Sequence, residues 1–202
     1  MENKLEYEKK YLDSGMKYIA GVDEVGRGPL AGPVVCAAVI MPLDDESIIE
    51  GVDDSKKLSA KKRETLAEII KQRAIAYNVF QIENTEIDEI NILNAVKKCM
   101  TNAVQGLKVT PDKTLVDGVD THLNLNAEYV IKGDSKSYTI GCASILAKVY
   151  RDNLMDEYAK VYPNYAFEKN KGYGTKAHTD AIKEYGLCPI HRVSFTKNFT
   201  EK

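Results

Sequence analysis

The chain has 202 residues, 44% hydrophobic and 29% charged, with a formal net charge of -2. Those totals allow one sizeable core, exclude an intrinsically disordered chain, and are not those of a basic protein that coats nucleic acid indiscriminately. Four scattered cysteines form no CxxC pair, MENKLEYEKK is no signal segment, and the apolar run Val34 to Met41 is too short to span a bilayer, so a cytoplasmic protein is expected.

In chain order, residues 1–15 read as a polar N-terminal helix or arm. Lys17 to Asp23 reads as a strand and Val34 to Met41 as a second, buried one, joined as a hairpin through GRGPLAGP. Ser59 is placed to cap a helix from Ala60 to about Tyr77, with Leu66, Ile69, Ile70 and Arg73 at helical spacing. Tyr77 to Ile82 alternates like a strand. Thr85 with Asp88 resembles a capping box, opening a helix that carries Ile87, Ile90, Ala95, Met100 and Val104 and stops near Gly106. Lys113 to Val116 and Tyr129 to Lys132 read as short strands that stop at Asp117-Gly118 and Gly133-Asp134. Ser137 to Tyr162 reads as largely helical, and Thr175 to Tyr185 as a helix ended by Gly186. A hairpin followed by alternating helices and strands predicts an α/β fold, a mixed sheet with helices packed on it, spanning residues 1–163. Residues 164–202 are expected to form a small basic extension of helices and loops.

Carboxylates recur at predicted strand ends: Asp23 with Glu24, Asp117, and Asp134. Functional residues of open α/β sheets gather at the carboxyl ends of strands, so these four side chains can meet. Four like charges would repel unless cations lie among them. Oxygen ligands without His or Cys favour Mg²⁺ or Mn²⁺ over zinc, and two such ions about 3.5–4 Å apart can flank a phosphodiester. Asp-Gly and Gly-Asp are also ordinary turn pairs, so Asp117 and Asp134 taken singly read first as turn residues.

Gly26-Arg27-Gly28 follows the first two acids. Its backbone N–H groups can meet phosphate or sugar oxygens and its arginine can grip a phosphate, although an exposed hairpin loop has the same composition. The basic, glycine-rich stretch Lys169 to His178 presents Tyr173, which can stack on a sugar or base. Lys56 and Lys57 precede a helix and suit phosphate contact, as many surface lysines do. His122 and His191 have no evident partner in the sequence, and His178 reads as structural or as a modest substrate contact. No P-loop and no Ser/His/Asp or Cys/His arrangement is present.

The stretches GVDEVGRGPLAGPVV, DSKKLS, IDEINILNAV, LVDG, GDSKSYTIGCASILAKVYRD and KGYGTKAH, in this order from about Tyr18 to Phe195, resemble ribonuclease HII, the type 2 ribonuclease H. The resemblance implies an RNase H-like fold with a C-terminal helical extension contributing to substrate binding. It implies that Asp23, Glu24, Asp117 and Asp134 are the catalytic, metal-holding quartet, that Gly26, Arg27, Gly28 and Tyr173 bind substrate, and that Asp152 matches a recurrent position outside the quartet. It implies cleavage of the RNA strand of RNA–DNA hybrids and cutting 5′ of single ribonucleotides in duplex DNA. Two Mg²⁺ or Mn²⁺ ions and 3′-hydroxyl and 5′-phosphate ends are implied with it. Lys56, Lys57 and the C-terminal lysines are expected on phosphates. Ser135, the run YTIGCAS and Val96 depart from the common pattern, which touches packing rather than chemistry. With about 17 residues before the first strand, the ribonuclease HIII branch and its extra N-terminal domain are not expected. A monomer suffices, and a sliding clamp is a family partner for which no clear motif stands near the C-terminus.

Overall fold

A computed structural model describes residues 4–53 and 55–200; Asp54 of the DSKKLS stretch and the ends of the predicted arm and extension lie outside them. Five strands form one sheet: β1 (Ile19–Val25), β2 (Val34–Ile40), β3 (Ala76–Ile82), β4 (Lys113–Asp117) and β5 (Ala127–Val130). Their order is β3-β2-β1-β4-β5. β1, β2 and β3 pair antiparallel, whereas β4 lies parallel to β1 and β5 parallel to β4. The helices are α1 (Glu6–Leu12), α2 (Ala60–Arg73), α3 (Asn84–Gln105), α4 (Gly133–Lys136), α5 (Tyr138–Val161), α6 (Phe167–Asn170), α7 (Lys176–Tyr185) and α8 (Val193–Thr200). Among the described residues no helix is long and apolar enough to cross a membrane.

β2 shows why its sequence is an unbroken apolar run. Alternate side chains leave a strand on opposite faces, and here both faces are covered. Val34, Cys36, Ala38 and Ile40 enter a core with Ile87, Val96 and Met100 of α3. Val35, Ala37 and Val39 enter a second core with Leu66 and Ile70 of α2 and Ile145 and Leu146 of α5. The N-terminus of α5 crosses β1 at Gly21, where a Cβ would fall 2.1 Å from the Thr139 carbonyl carbon. Only glycine permits that approach. The same helix end is held from α1: the buried Glu8 Oε1 accepts from Thr139 N at 2.9 Å and Ser137 Oγ at 2.6 Å.

Three local expectations are corrected. α2 stops at Arg73 rather than near Tyr77, because Ala74 is extended and Tyr77 pairs with Val39 on the edge of β2. Thr85 and Asp88 form no capping box. Glu83 precedes the first helical residue, Thr85 lies inside α3, and the Asp88 carboxylate accepts from Val193 N and Ser194 N at the start of α8. β5 ends at Val130 rather than Lys132, which has a left-handed φ of 58°, so Asp134 is carried by α4 instead of by a strand end.

The residues after Pro163 pack a cluster of their own, Tyr165, Phe167, Ala181, Ile182 and Ile190, closed by Met155 of α5 and by Leu30 and Ala31 of the β1–β2 loop. Backbone bonds join the same partners: Leu30 N to Gly172 O, Gly32 N to Ile190 O and Arg192 N to Leu30 O, each 2.8 Å. The glycine loop is thus clasped by the C-terminal segment.

Candidate active site

The sheet topology brings distant acids together. β4 lies beside β1 in parallel, so Asp117 at its end stands next to the Asp23-Glu24 end of β1. A cavity of about 240 Å³ opens there, lined by Asp23, Glu24, Asp117, Ser55, Lys56, Ser144, Lys148 and Tyr173, among others. Asp134 is buried at 8% exposure but does not line this cavity; the neighbouring Gly133 N donates to Asp117 Oδ1 at 2.5 Å. Of the predicted quartet, three members therefore share one space, and the fourth follows Gly133, which donates to Asp117, without lining that space.

Electrostatics mark this as a strained place for negative charge. Burial pushes the Asp23 carboxyl well above the usual carboxylate range, and the charges of Glu24 and Asp117 add to it, against the Ser144 hydroxyl and the Glu24 N–H. Burial also lifts Glu24, against the pull of Arg27, whose Nη1 lies 3.3 Å from Glu24 Oε1. Each acid has taken a local donor: Glu24 N for Asp23 at 2.7 Å, Arg27 for Glu24, Gly133 N for Asp117. Among the described residues no three His, Cys, Asp or Glu side chains already converge as a metal shell. The donor set still suits a hard divalent cation: clustered carboxylates, partly desolvated and mutually repelling, with no Cys or His among the described residues that line the cavity.

Gly28 and Tyr173 face each other. A Cβ on Gly28 would meet only Tyr173 Cε1, at 3.8 Å. Tyr173 is 42% exposed and shares the cavity with the carboxylates. Its backbone is fixed from beneath. His178 Nδ1 lies 2.9 Å from Tyr173 O, His178 Nε2 lies 3.0 Å from His191 Nε2, and Cys188 N donates to His191 Nδ1 at 2.8 Å. A carbonyl can only accept, so His178 carries its proton on Nδ1, and His191 donates from Nε2. Burial lowers both histidines, His191 to about 4, which keeps the pair neutral. His191 thus has the partner its sequence context did not reveal, and His178 supports Tyr173.

The remaining predicted residues divide. Lys56 lines the cavity, whereas Lys57 is exposed and lies 3.6 Å from Asp53, away from the carboxylates. Sequence reasoning passed over Ser144 and Lys148. They stand four apart on α5 with Asp152 four further on, so one helix face carries all three; Lys148 Nζ pairs with Asp152 Oδ1 at 2.7 Å, and Ser144 Oγ is 3.0 Å from Ser55 Oγ. That spacing was the available signal. Arg151 and Arg192, both fully buried behind the glycine loop, left none.

The family model described as Ribonuclease HII matches residues 20–198. The chain belongs to the ribonuclease HII family. A ribonuclease HII of Caldicellulosiruptor bescii is 56% identical over 198 residues, covering 98% of this chain and 95% of that protein. The crystal structure of the ribonuclease H2 from Pyrococcus horikoshii OT3 superposes with a TM-score of 0.77 at 27% identity, covering 92% of this chain and all of that one. RNase HII of Archaeoglobus fulgidus, solved as a complex with PCNA, also gives 0.77, at 26% identity over 91% of this chain and 97% of that one. The mixed sheet flanked by helices is the RNase H-like fold, and the chain is a ribonuclease of the RNase HII type, a hydrolase of RNA in RNA–DNA hybrids.

Proposed function

We propose that this ribonuclease HII cuts the RNA strand of hybrids and also cuts 5′ of a single ribonucleotide embedded in duplex DNA, leaving 3′-hydroxyl and 5′-phosphate ends. The observation that carries the reading is Tyr173, which lines the cavity of Asp23, Glu24 and Asp117 and lies against Gly28 of the glycine loop. A ribose placed in that cavity against Tyr173 presents its 2′-hydroxyl, the group that distinguishes RNA from DNA, to the Gly26-Arg27-Gly28 backbone. Its 5′ phosphate then faces the carboxylates. Water adds to phosphorus and the bond to the preceding nucleotide's O3′ breaks, which gives those ends.

Asp23, Glu24, Asp117 and Asp134 are the residues that would hold two Mg²⁺ or Mn²⁺ ions. Bound ions supply an activated water and stabilise the leaving oxygen. The protein's part is to hold the acids ionised around them and to orient the sugar. Lys56 and Lys148 bring positive charge to the same cavity for phosphate contact, which positions the strand without reading sequence. We assign residues 1–163 to the catalytic unit and 164–202 to an extension that completes the substrate site through Tyr173.

The test is cleavage of a labelled DNA duplex carrying one ribonucleotide, beside its all-DNA twin, in Mg²⁺, in Mn²⁺ and in chelator. The expected result is metal-dependent cutting 5′ of the ribonucleotide alone, lost by a factor of about 10³ or more in Asp117→Asn. Equal cutting of the all-DNA twin would remove the 2′-hydroxyl reading and leave a general nuclease.

A further inference from the structure

Arg192 and Arg151 are fully buried, yet all six hydrogen bonds found for their guanidinium groups go to backbone carbonyls. Arg192 donates to Gly26 O at 2.6 Å, Arg27 O at 3.0 Å and Gly32 O at 3.0 Å. Arg151 donates to Ala31 O, Pro33 O and Lys171 O at 2.9–3.0 Å. Taking a guanidinium out of water is costly, and an apolar side chain of similar volume would serve packing at least as well. Stability alone does not account for the pair.

The geometry of the peptide bond does. No peptide in the described chain is cis. In a trans peptide the C=O of one residue and the N–H of the next point in opposite directions. Arg192 draws the carbonyls of Gly26 and Arg27 inward. The N–H groups of Arg27 and Gly28 are therefore turned away from the buried guanidinium, on the outer side of the loop, where Gly28 meets Tyr173.

We propose that Arg192 is the positioning residue of the recognition loop: a buried fork in the C-terminal segment that sets the Arg27 and Gly28 amides as donors toward the incoming ribose. This inference rests on the functional reading above. Arg192 touches no substrate; it acts through two peptide planes, with Arg151 behind Gly26 as the second brace. It also accounts for the clasp between the C-terminal segment and the β1–β2 loop, since cutting the segment away would release the two peptides.

The test is Arg192→Lys, which keeps the charge and most of the volume but not the planar fork. Binding is measured in chelator, so that nothing is cut, to the single-ribonucleotide duplex and to its all-DNA twin. The expected result is a loss of about tenfold in the preference between them, the value of one well-made hydrogen bond to a charged or polar partner. Affinity for the all-DNA twin and its salt dependence should stay as in the native chain, because they report phosphate contacts elsewhere. The Arg27 and Gly28 amide NMR signals should shift or broaden. Unchanged preference together with unchanged amide signals overturns the proposal. A native chain with no preference defeats the functional reading instead, and the amide signals then decide the positioning role alone. If Arg192→Lys does not fold, couplings across the hydrogen bonds from the Arg192 guanidinium to the Gly26 and Arg27 carbonyl carbons in the native chain decide it: their presence supports the fork and their absence removes it.

Discussion

Gly26 and Gly28 stand two residues apart and are glycines for different reasons. Gly26 has φ of +96°, and a Cβ there would lie 2.4 Å from Arg151 Nε and 2.8 Å from Pro33 O. Gly28 has room for a Cβ, which would make only an ordinary contact with Tyr173 Cε1 at 3.8 Å. Gly26→Ala should therefore lower stability by on the order of 2 kcal/mol, through a left-handed backbone and a clash with a buried guanidinium, seen as a lower melting temperature. Gly28→Ala should leave the melting temperature nearly unchanged and lower kcat/KM on the single-ribonucleotide duplex by about tenfold, because its methyl group enters the space assigned to the ribose. Equal loss of stability in both variants would contradict this division. The sequence shows two glycines around an arginine and nothing that separates them, because the atoms that do so belong to Arg151 and Tyr173. Adjacent acids at the end of an apolar strand, by contrast, were legible, since Asp23 and Glu24 need no distant residue to look anomalous.

Helix starts were readable where the cap is local. Ser59, Ser137 and Thr175 each accept from the N–H three residues on, and each was placed correctly from sequence as a helix start or just before one. Asp88 was misread because its partners are 105 and 106 residues away: it receives Val193 N at 2.8 Å and Ser194 N at 3.0 Å, and the Ser194 hydroxyl as well. A carboxylate at the first turn of α8 satisfies donors the helix cannot satisfy itself and complements its dipole. Asp88→Ala should cost about 1 kcal/mol, and hydrogen exchange should show the α8 amides opening faster while those of α5 keep their protection. Uniform loss of protection across both helices would mean that Asp88 supports the whole fold rather than this one helix. The kink within α3 has the same kind of cause. Asn91 has a φ of 65°, and its Oδ1 accepts from Leu93 N and Asn94 N, restarting the helix after a break that a periodic apolar pattern does not disclose.

At the scale of the molecule, the fold gathers negative charge that its own residues only partly relieve. Two strands far apart in sequence, β1 and β4, bring Asp23, Glu24 and Asp117 to one cavity, and strand-end logic was enough to expect that. The two arginines that hold the loop beside them were invisible, because a lysine- or arginine-rich sequence reads as surface. The carboxylate cluster has a thermodynamic consequence in the absence of metal. Asp23 and Glu24 bind their protons more tightly in the native state than in the unfolded chain, since burial and neighbouring charge raise both. The stability linked to those protons is complete below the ordinary carboxylate range near 4 and is lost as pH rises through the raised values. At neutral pH in chelator the ionised cluster therefore lowers stability. Asp117→Asn removes one of the charges acting on both groups and keeps an oxygen for the Gly133 N–H. It should raise metal-free stability at pH 7 by on the order of 1 kcal/mol, a melting temperature roughly 2–4 °C higher. Added Mg²⁺ or Mn²⁺ should raise the melting temperature of the native chain, through binding to the folded state alone, and do so much less in the variant. The order of the two chains should then reverse between chelator and saturating metal. A variant that melts below the native chain in chelator, or gains as much from metal, would show that Asp117 neither repels its neighbours nor shares a cation with them.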